Sequence, residues 1–224
     1  MIVILAAMDV EVALLASRME NKEEITIKSR SFIKGRLCGH DAVVGASGVG
    51  KTNAANCTQM AIDHFQPDFL LHTGIAGSLT RDAGVLSIVL GEKITFHDLD
   101  HRIMEKFFPY QVYFHSDEKL LQTAEDYLKE QGDHHLKGLI ATGDCFIEST
   151  AQKNAITDRM PALCADMESA AVAATAYSNQ VPFLVVRAIS DLADEESRDT
   201  YEENERTAAD IGAGIVMRVL ERWG

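Results

Sequence analysis

Residues 1–11 read Met1-Ile-Val-Ile-Leu-Ala-Ala-Met8-Asp9-Val10-Glu11. An apolar, β-branched run of strand length gives way at once to acidic residues that open an amphipathic stretch. The same alternation recurs along the chain, which is the pattern of an α/β fold. Strands are expected over residues 2–7, 24–34, 41–46, 68–73, 85–95, 137–142, 162–166 and 182–189, and helices over 9–19, 52–65, 117–131, 149–159, 168–179 and 200–222. In 117–131, Leu120, Leu121, Ala124 and Leu128 fall at helical spacing, so that stripe serves packing. No Pro/Ser-rich linker, internal repeat or low-complexity segment interrupts the order. The expected architecture is one domain over 1–224, with a central mixed, largely parallel sheet flanked by helices. Residues 96–116, rich in aromatics outside any clean period, read as a long loop with a binding or interface role.

Composition narrows the function. A formal charge of -13 repels phosphate backbones and anionic headgroups, so nucleic acid and membrane surfaces are poor partners. No apolar run reaches the roughly 20 residues of a membrane span, and the N-terminal run is too short, without a basic lead, for a signal peptide. Cys38, Cys57, Cys145 and Cys164 form no CxxC pair, which points to reduced thiols and a cytoplasmic protein.

Residues 45–52, Gly45-Ala-Ser-Gly48-Val49-Gly50-Lys51-Thr52, match the phosphate-binding pattern G-x-x-x-x-G-K-[ST] between a strand and a helix. In that role Lys51 would reach terminal phosphates and Thr52 a magnesium ion. A triphosphatase also needs an acidic residue ending a plain apolar strand, and neither Asp166 nor Asp191 has that setting. The competing reading is a glycine-rich turn lining a small-molecule pocket.

Ligands of open α/β sheets bind beyond the carboxyl ends of the strands. Those positions hold Ala7-Met8-Asp9-Val10-Glu11, Thr73-Gly74-Ile75-Ala76-Gly77, Thr142-Gly143-Asp144-Cys145-Phe146-Ile147, Ala165-Asp166-Met167-Glu168 and Arg187-Ala188-Ile189-Ser190-Asp191. Together with Ser47-Gly-Val-Gly-Lys51, these segments resemble, in order, those of the nucleoside phosphorylase superfamily, and within it the methylthioadenosine/S-adenosylhomocysteine nucleosidases. The resemblance runs from residue 1 to about 205. It implies a nucleoside phosphorylase-like fold and a nucleoside N-glycosidase working without cofactor or metal. Phosphorylases of the superfamily hold phosphate with a Gly and an Arg after the first strand, where this chain has Met8 and Glu11. A carboxylate there repels phosphate and can take a proton from water, so hydrolysis is the expected reaction.

The resemblance assigns Asp191 as general acid and Glu11 as the base directing water, a division parallel to the carboxyl pair of inverting glycosidases. It places Glu168 on the ribose hydroxyls, Met167 under the sugar, Phe146 on adenine and the Ile147 backbone at the purine edge. Ala76 and Gly77 join the substrate-binding set, and Arg187 and Ser190 orient Glu168 or Asp191. Met8, Val49 and Tyr201 would wall the 5′ group, closed by the 97–110 loop of a second subunit in a homodimer. Ile75, His101 and Met104 depart from the common pattern and bear on the 5′ group. Without the resemblance, Asp191 would read as a cap or turn residue, Glu168 as an ordinary first-turn helix glutamate, and Phe146-Ile147 as core.

Competing readings are a nucleosidase for another 5′-modified adenosine such as 6-amino-6-deoxyfutalosine, a purine nucleoside phosphorylase, a P-loop nucleotide-binding protein, and a non-catalytic nucleoside-binding module. His97-Asp98-Leu99-Asp100-His101 has metal-ligand chemistry but reads more simply as hydrogen bonding near the interface.

Overall fold

The computed structural model describes residues 1–224. Its elements follow in chain order as β1 (Ile2–Ala6), α1 (Asp9–Arg18), β2 (Glu20–Ile27), β3 (Arg30–Leu37), β4 (His40–Ala46), α2 (Lys51–Phe65), β5 (Phe69–Ser78), β6 (Ile88–Phe96), α3 (His101–Lys106), β7 (Phe114–His115), α4 (Glu118–Gln131), β8 (His135–Thr142), α5 (Thr150–Thr157), β9 (Ala162–Asp166), α6 (Ser169–Ser178), β10 (Phe183–Asp191) and α7 (Ser197–Arg222).

The central strands are buried on both faces because they are apolar on both, whereas the charged edge strand β2 is largely exposed. In β1, Ile2, Ile4 and Ala6 pack with residues of α1, α4 and α7, such as Leu15, Leu120 and Val216. Val3 and Leu5 point the other way, toward Ala54 and Cys57 of α2 and Ala170 and Val172 of α6. Small residues along α6 let it lie close against α2 and the sheet.

Strand polarity builds the site. β1, β4, β5 and β10 run in parallel, whereas β6, β8 and β9 run together in the opposite sense. The two sets meet twice, at β10 with β6 and at β5 with β9, so β10, β6, β8, β9 and β5 close into a ring. From β5 the sheet continues outward through β1, β4, β3 and β2. At the β5–β9 junction Gly77 pairs with Ala165 and Ser78 with Cys164, so the carboxyl ends of two opposed strand sets overlap.

Three sequence expectations change. The run 24–34 is not one strand but parts of the β2–β3 hairpin, turning at Lys28 with φ 54°. β5 and β10 extend to Ser78 and Asp191, so Ala76, Gly77, Ser190 and Asp191 are strand residues rather than residues beyond strands. The 96–116 region contains α3, capped by the Asp100 carboxylate on the Arg102 N–H, and the short β7. No helix is long and apolar enough to cross a membrane.

Candidate active site

A cavity of about 330 Å³ opens over the overlapping strand ends, within the size range of small-ligand pockets. Glu11, Asp191, Glu168, Met167, Phe146, Ile147, Met8, Val49, Ala76, Gly77, Ser190 and Tyr201 all line it. Arg187 does not; it is buried behind the wall.

Glu11 is the third residue of α1, and its side chain turns back over the helix start. One oxygen accepts the N–H groups of Ala7 and Met8, both at 2.8 Å, and the other accepts that of Ile75 at 2.9 Å. Burial raises its pKa, against the opposing pull of Arg187 and these three N–H groups. Gly74 makes room for this arrangement, because a Cβ there would overlap both Glu11 Oε1 and Arg187 Nη1.

Asp191 ends β10, almost wholly buried. Its Oδ1 accepts the Ala193 N–H at 3.0 Å and its Oδ2 the Ser190 hydroxyl at 2.9 Å. Burial raises its pKa too, and these hydrogen bonds only partly offset the rise. Gly77 lies beneath it, where a Cβ would come within 2.9 Å of Oδ1. Of the two groups that Ser190 was expected to orient, Asp191 is the one bonded to its hydroxyl.

Glu168 precedes α6 and is also buried. Burial first, then the neighbouring Asp166 charge, pushes its pKa up to about 7. Its Oε1 accepts the Gly50 N–H at 2.7 Å, with Gly50 at φ 94°, a conformation that glycine adopts without strain. The P-loop reading fails at this point. The backbone donor that would face a phosphate is turned to a carboxylate, and Lys51 Nζ is bound to Asp98 at 2.6 Å and lies 3.7 Å from Asp144. The Lys51 N–H likewise goes to Asp144. The turn is a tether that joins α2, the 98 region and the 144 region around the cavity.

Behind the wall, Arg187 Nε pairs with Asp166 at 2.7 Å. Nη2 donates to Ser169 Oγ at 2.9 Å and to His72 Nε2. Asp166 also accepts the hydroxyls of Thr142 and Ser169, and, though burial opposes it, Arg187 and these bonds hold it below the usual carboxylate range. Arg187 was expected to orient Glu168 or Asp191; its direct partner is Asp166 instead. Asp166, His72, Thr142 and Ser169 were missed as a site-supporting group, as were the wall residues Cys145, Arg198 and Glu202. Asp166, Thr142 and Cys145 carried a signal, their places in the strand-end segments quoted above.

The Phe146 and Tyr201 rings meet edge to face at 5.7 Å. The Tyr201 hydroxyl donates to Glu205 at 2.6 Å and lies 3.5 Å from Met8 Sδ, so Tyr201 links the walls on either side of the cavity. His101 and Met104 are turned inward, the first hydrogen-bonded to the Phe96 carbonyl and the second in the core. Along His97–His101, Asp98 is taken by Lys51 and Asp100 by Arg102, leaving no cluster of three ligating side chains.

Three buried carboxyls, Glu11, Glu168 and Asp191, thus face one cavity at the overlapping strand ends. A family model described as the phosphorylase superfamily matches residues 1–221. A 5′-methylthioadenosine/S-adenosylhomocysteine nucleosidase of Geobacillus kaustophilus is 38% identical over 97% of this chain and 95% of its own. One from Staphylococcus saprophyticus is 36% identical, with 99% of each chain covered. The Neisseria meningitidis nucleosidase, solved with methylthio-immucillin-A, superposes with a TM-score of 0.94 at 31% identity over 99% of both chains. The chain therefore belongs to the phosphorylase superfamily and, within it, to the 5′-methylthioadenosine/S-adenosylhomocysteine nucleosidase family.

Proposed function

We propose that the protein hydrolyses the N-glycosidic bond of 5′-methylthioadenosine and S-adenosylhomocysteine, releasing adenine and the thioribose product. The observation that carries this reading is the pair of buried carboxyls, Glu11 and Asp191, both with raised pKa, on the wall of one cavity. Asp191, whose pKa burial raises, gives its proton to N7 of adenine as the C1′–N9 bond breaks and its electrons pass to the base. Water adds to C1′ of the oxocarbenium-like sugar and yields a proton to Glu11. Held by three N–H groups, Glu11 is preorganised for this.

Glu168 accepts the ribose hydroxyls, Met167 packs under the sugar and Phe146 stacks on adenine. The Ile147 backbone takes the purine edge, with Ala76 and Gly77 beside it. Met8, Val49 and Tyr201 wall the 5′ group. Arg187 acts from behind, as a positive charge felt by both Glu11 and Glu168. No step calls for a metal or cofactor.

Our reading includes a homodimer with residues 97–110 at the interface, where Phe107, Phe108 and Tyr110 are 53%, 73% and 63% exposed in the isolated chain. It also includes one functional unit over 1–224 and a cytoplasmic location, which suits the four free cysteines. Adenine release from methylthioadenosine in phosphate-free buffer tests the reading. Release that appeared only on adding phosphate would make the protein a phosphorylase.

A further inference from the structure

His72 is a buried group for which the reaction above has no use. It sits within β5 with no exposed surface, beside Leu70 and Leu71. An imidazole in such a place is costly unless both ring nitrogens find partners. Nδ1–H donates to the Leu5 carbonyl of β1 at 2.9 Å, and Nε2 accepts Arg187 Nη2–H. Only the neutral ring with its proton on Nδ1 satisfies both. Burial and the Arg187 charge drive its pKa down to about 3, so the ring stays in that form at any working pH.

The consequence is geometric. Parallel pairing sets Arg187 opposite Gly74 and Val185 opposite His72, so the imidazole lies two residues back on the neighbouring strand and, by the period-2 alternation of strands, on the same face. Asp166 grips Nε of the guanidinium, while His72 and Ser169 grip Nη2. A planar group held at two nitrogens has a fixed plane. The third nitrogen, Nη1, then borders the space that a Gly74 Cβ would fill, which Glu11 Oε1 borders too, with no direct ion pair between them.

We infer that His72 is a positioning residue for the glycosidic cleavage: a neutral acceptor anchored to the β1 backbone, it locks Arg187 with its free edge toward Glu11. The groups facing the guanidinium are Asp166 of β9, His72 of β5, Glu11 of α1 and Glu168. The Ser169 hydroxyl joins them at Nη2, and His72, held neutral, supplies direction without cancelling the charge that Glu11 and Glu168 feel. The inference rests on the nucleosidase reading.

The test compares wild type, His72→Leu and His72→Gln with methylthioadenosine across pH. Leu fills the volume and leaves Nη2–H without its acceptor, whereas Gln can return an oxygen to about the same reach. In His72→Leu, kcat should fall about tenfold and KM change by less than about threefold. The acid limb of kcat/KM should move to higher pH, because Glu11 loses a compensating charge. His72→Gln should recover both kcat and the limb. A Leu variant that is merely less stable, with kcat and acid limb intact, would overturn the inference, as would a Gln variant no better than Leu. Should the Leu protein not fold, His72→Met, whose thioether is a far weaker acceptor, takes its place under the same criteria. A wild type that releases no adenine would sink the nucleosidase reading itself, which keeps the two failures distinct.

Discussion

Gly50 donates its backbone N–H to the Glu168 carboxylate at 2.7 Å, across 118 positions of sequence. The bond turns a phosphate-loop pattern into a support for the group assigned to the ribose. It also separates the two readings of that turn by experiment. Lys51→Ala in a phosphate-binding loop would abolish activity, and activity would need magnesium. Here it should loosen the tether to Asp98 and Asp144, raise KM by about two- to tenfold and leave kcat within about threefold, with EDTA without effect. Steady-state kinetics with and without EDTA decide the matter.

Asp191→Asn keeps the shape of the side chain and the hydrogen bond from the Ala193 N–H, while its NH2 must donate to Ser190 Oγ where the carboxylate accepted; it has no acidic proton to give. Adenine release should fall by about 10²–10⁴-fold, while circular dichroism and the melting temperature stay near wild type. In the wild type, kcat should decline on the alkaline side as Asp191 loses its proton. That decline should come at higher pH than for a solvated aspartate, because burial raises the pKa.

Gly77→Ala tests the same acid from below. The added methyl meets Asp191 Oδ1 at 2.9 Å and Ala193 Cβ at 3.3 Å. It should displace the carboxyl and lower kcat by about tenfold or more, since catalytic geometry tolerates little misplacement. A variant with unchanged kcat would show that the acid does not depend on this contact.

Glu168 makes stability depend on pH in a definite direction. Its folded pKa of about 7 lies above the 4.5 of an unperturbed glutamate, so the folded protein holds a proton that the unfolded chain releases between those values. The stabilising contribution is full below about 4.5 and is lost as pH rises through about 7. Glu168→Gln removes that loss. The unliganded variant should melt higher than wild type at pH 8 and show a flatter pH profile, yet bind and turn over substrate poorly. Thermal unfolding at several pH values is the measurement.

The exposed aromatics of the 97–110 region predict the assembly state. Phe108→Glu, at the most exposed of the three rings, should shift the protein from dimer to monomer in sedimentation and raise KM where the partner's loop closes the 5′ pocket. A wild type that sediments as a monomer would remove the dimer from the reading.

Strand ends put the residues that line the cavity into short segments, and the resemblance of those segments to a known family, not their place alone, singled them out. Glu11, Glu168 and Asp191 each sit within two residues of an expected strand or helix boundary. The rest was hidden for physical reasons. His72 looks like a polar interruption of an apolar strand, and its meaning comes from a contact with Arg187 across 115 positions that no local pattern encodes. The β2–β3 turn escaped because Lys28-Ser29 carries neither Gly, Pro nor Asn, so nothing marked a break between Ile25 and Ile33. α3 has only six residues, too few to show an apolar stripe.

The overlap of β5 and β9 gives the enzyme a division of labour open to engineering. Asp191, the proposed proton donor, hangs from a strand of one polarity and Glu168, proposed to hold the sugar, follows a strand of the other, clasped at Gly77–Ala165 and Ser78–Cys164. Their spacing is thus an attribute of the barrel-like scaffold, and the variable segments around the mouth can be exchanged without resetting it. Swapping the 97–110 region or the start of α7 should retune which 5′ groups enter, while the cleavage apparatus travels unchanged with the sheet.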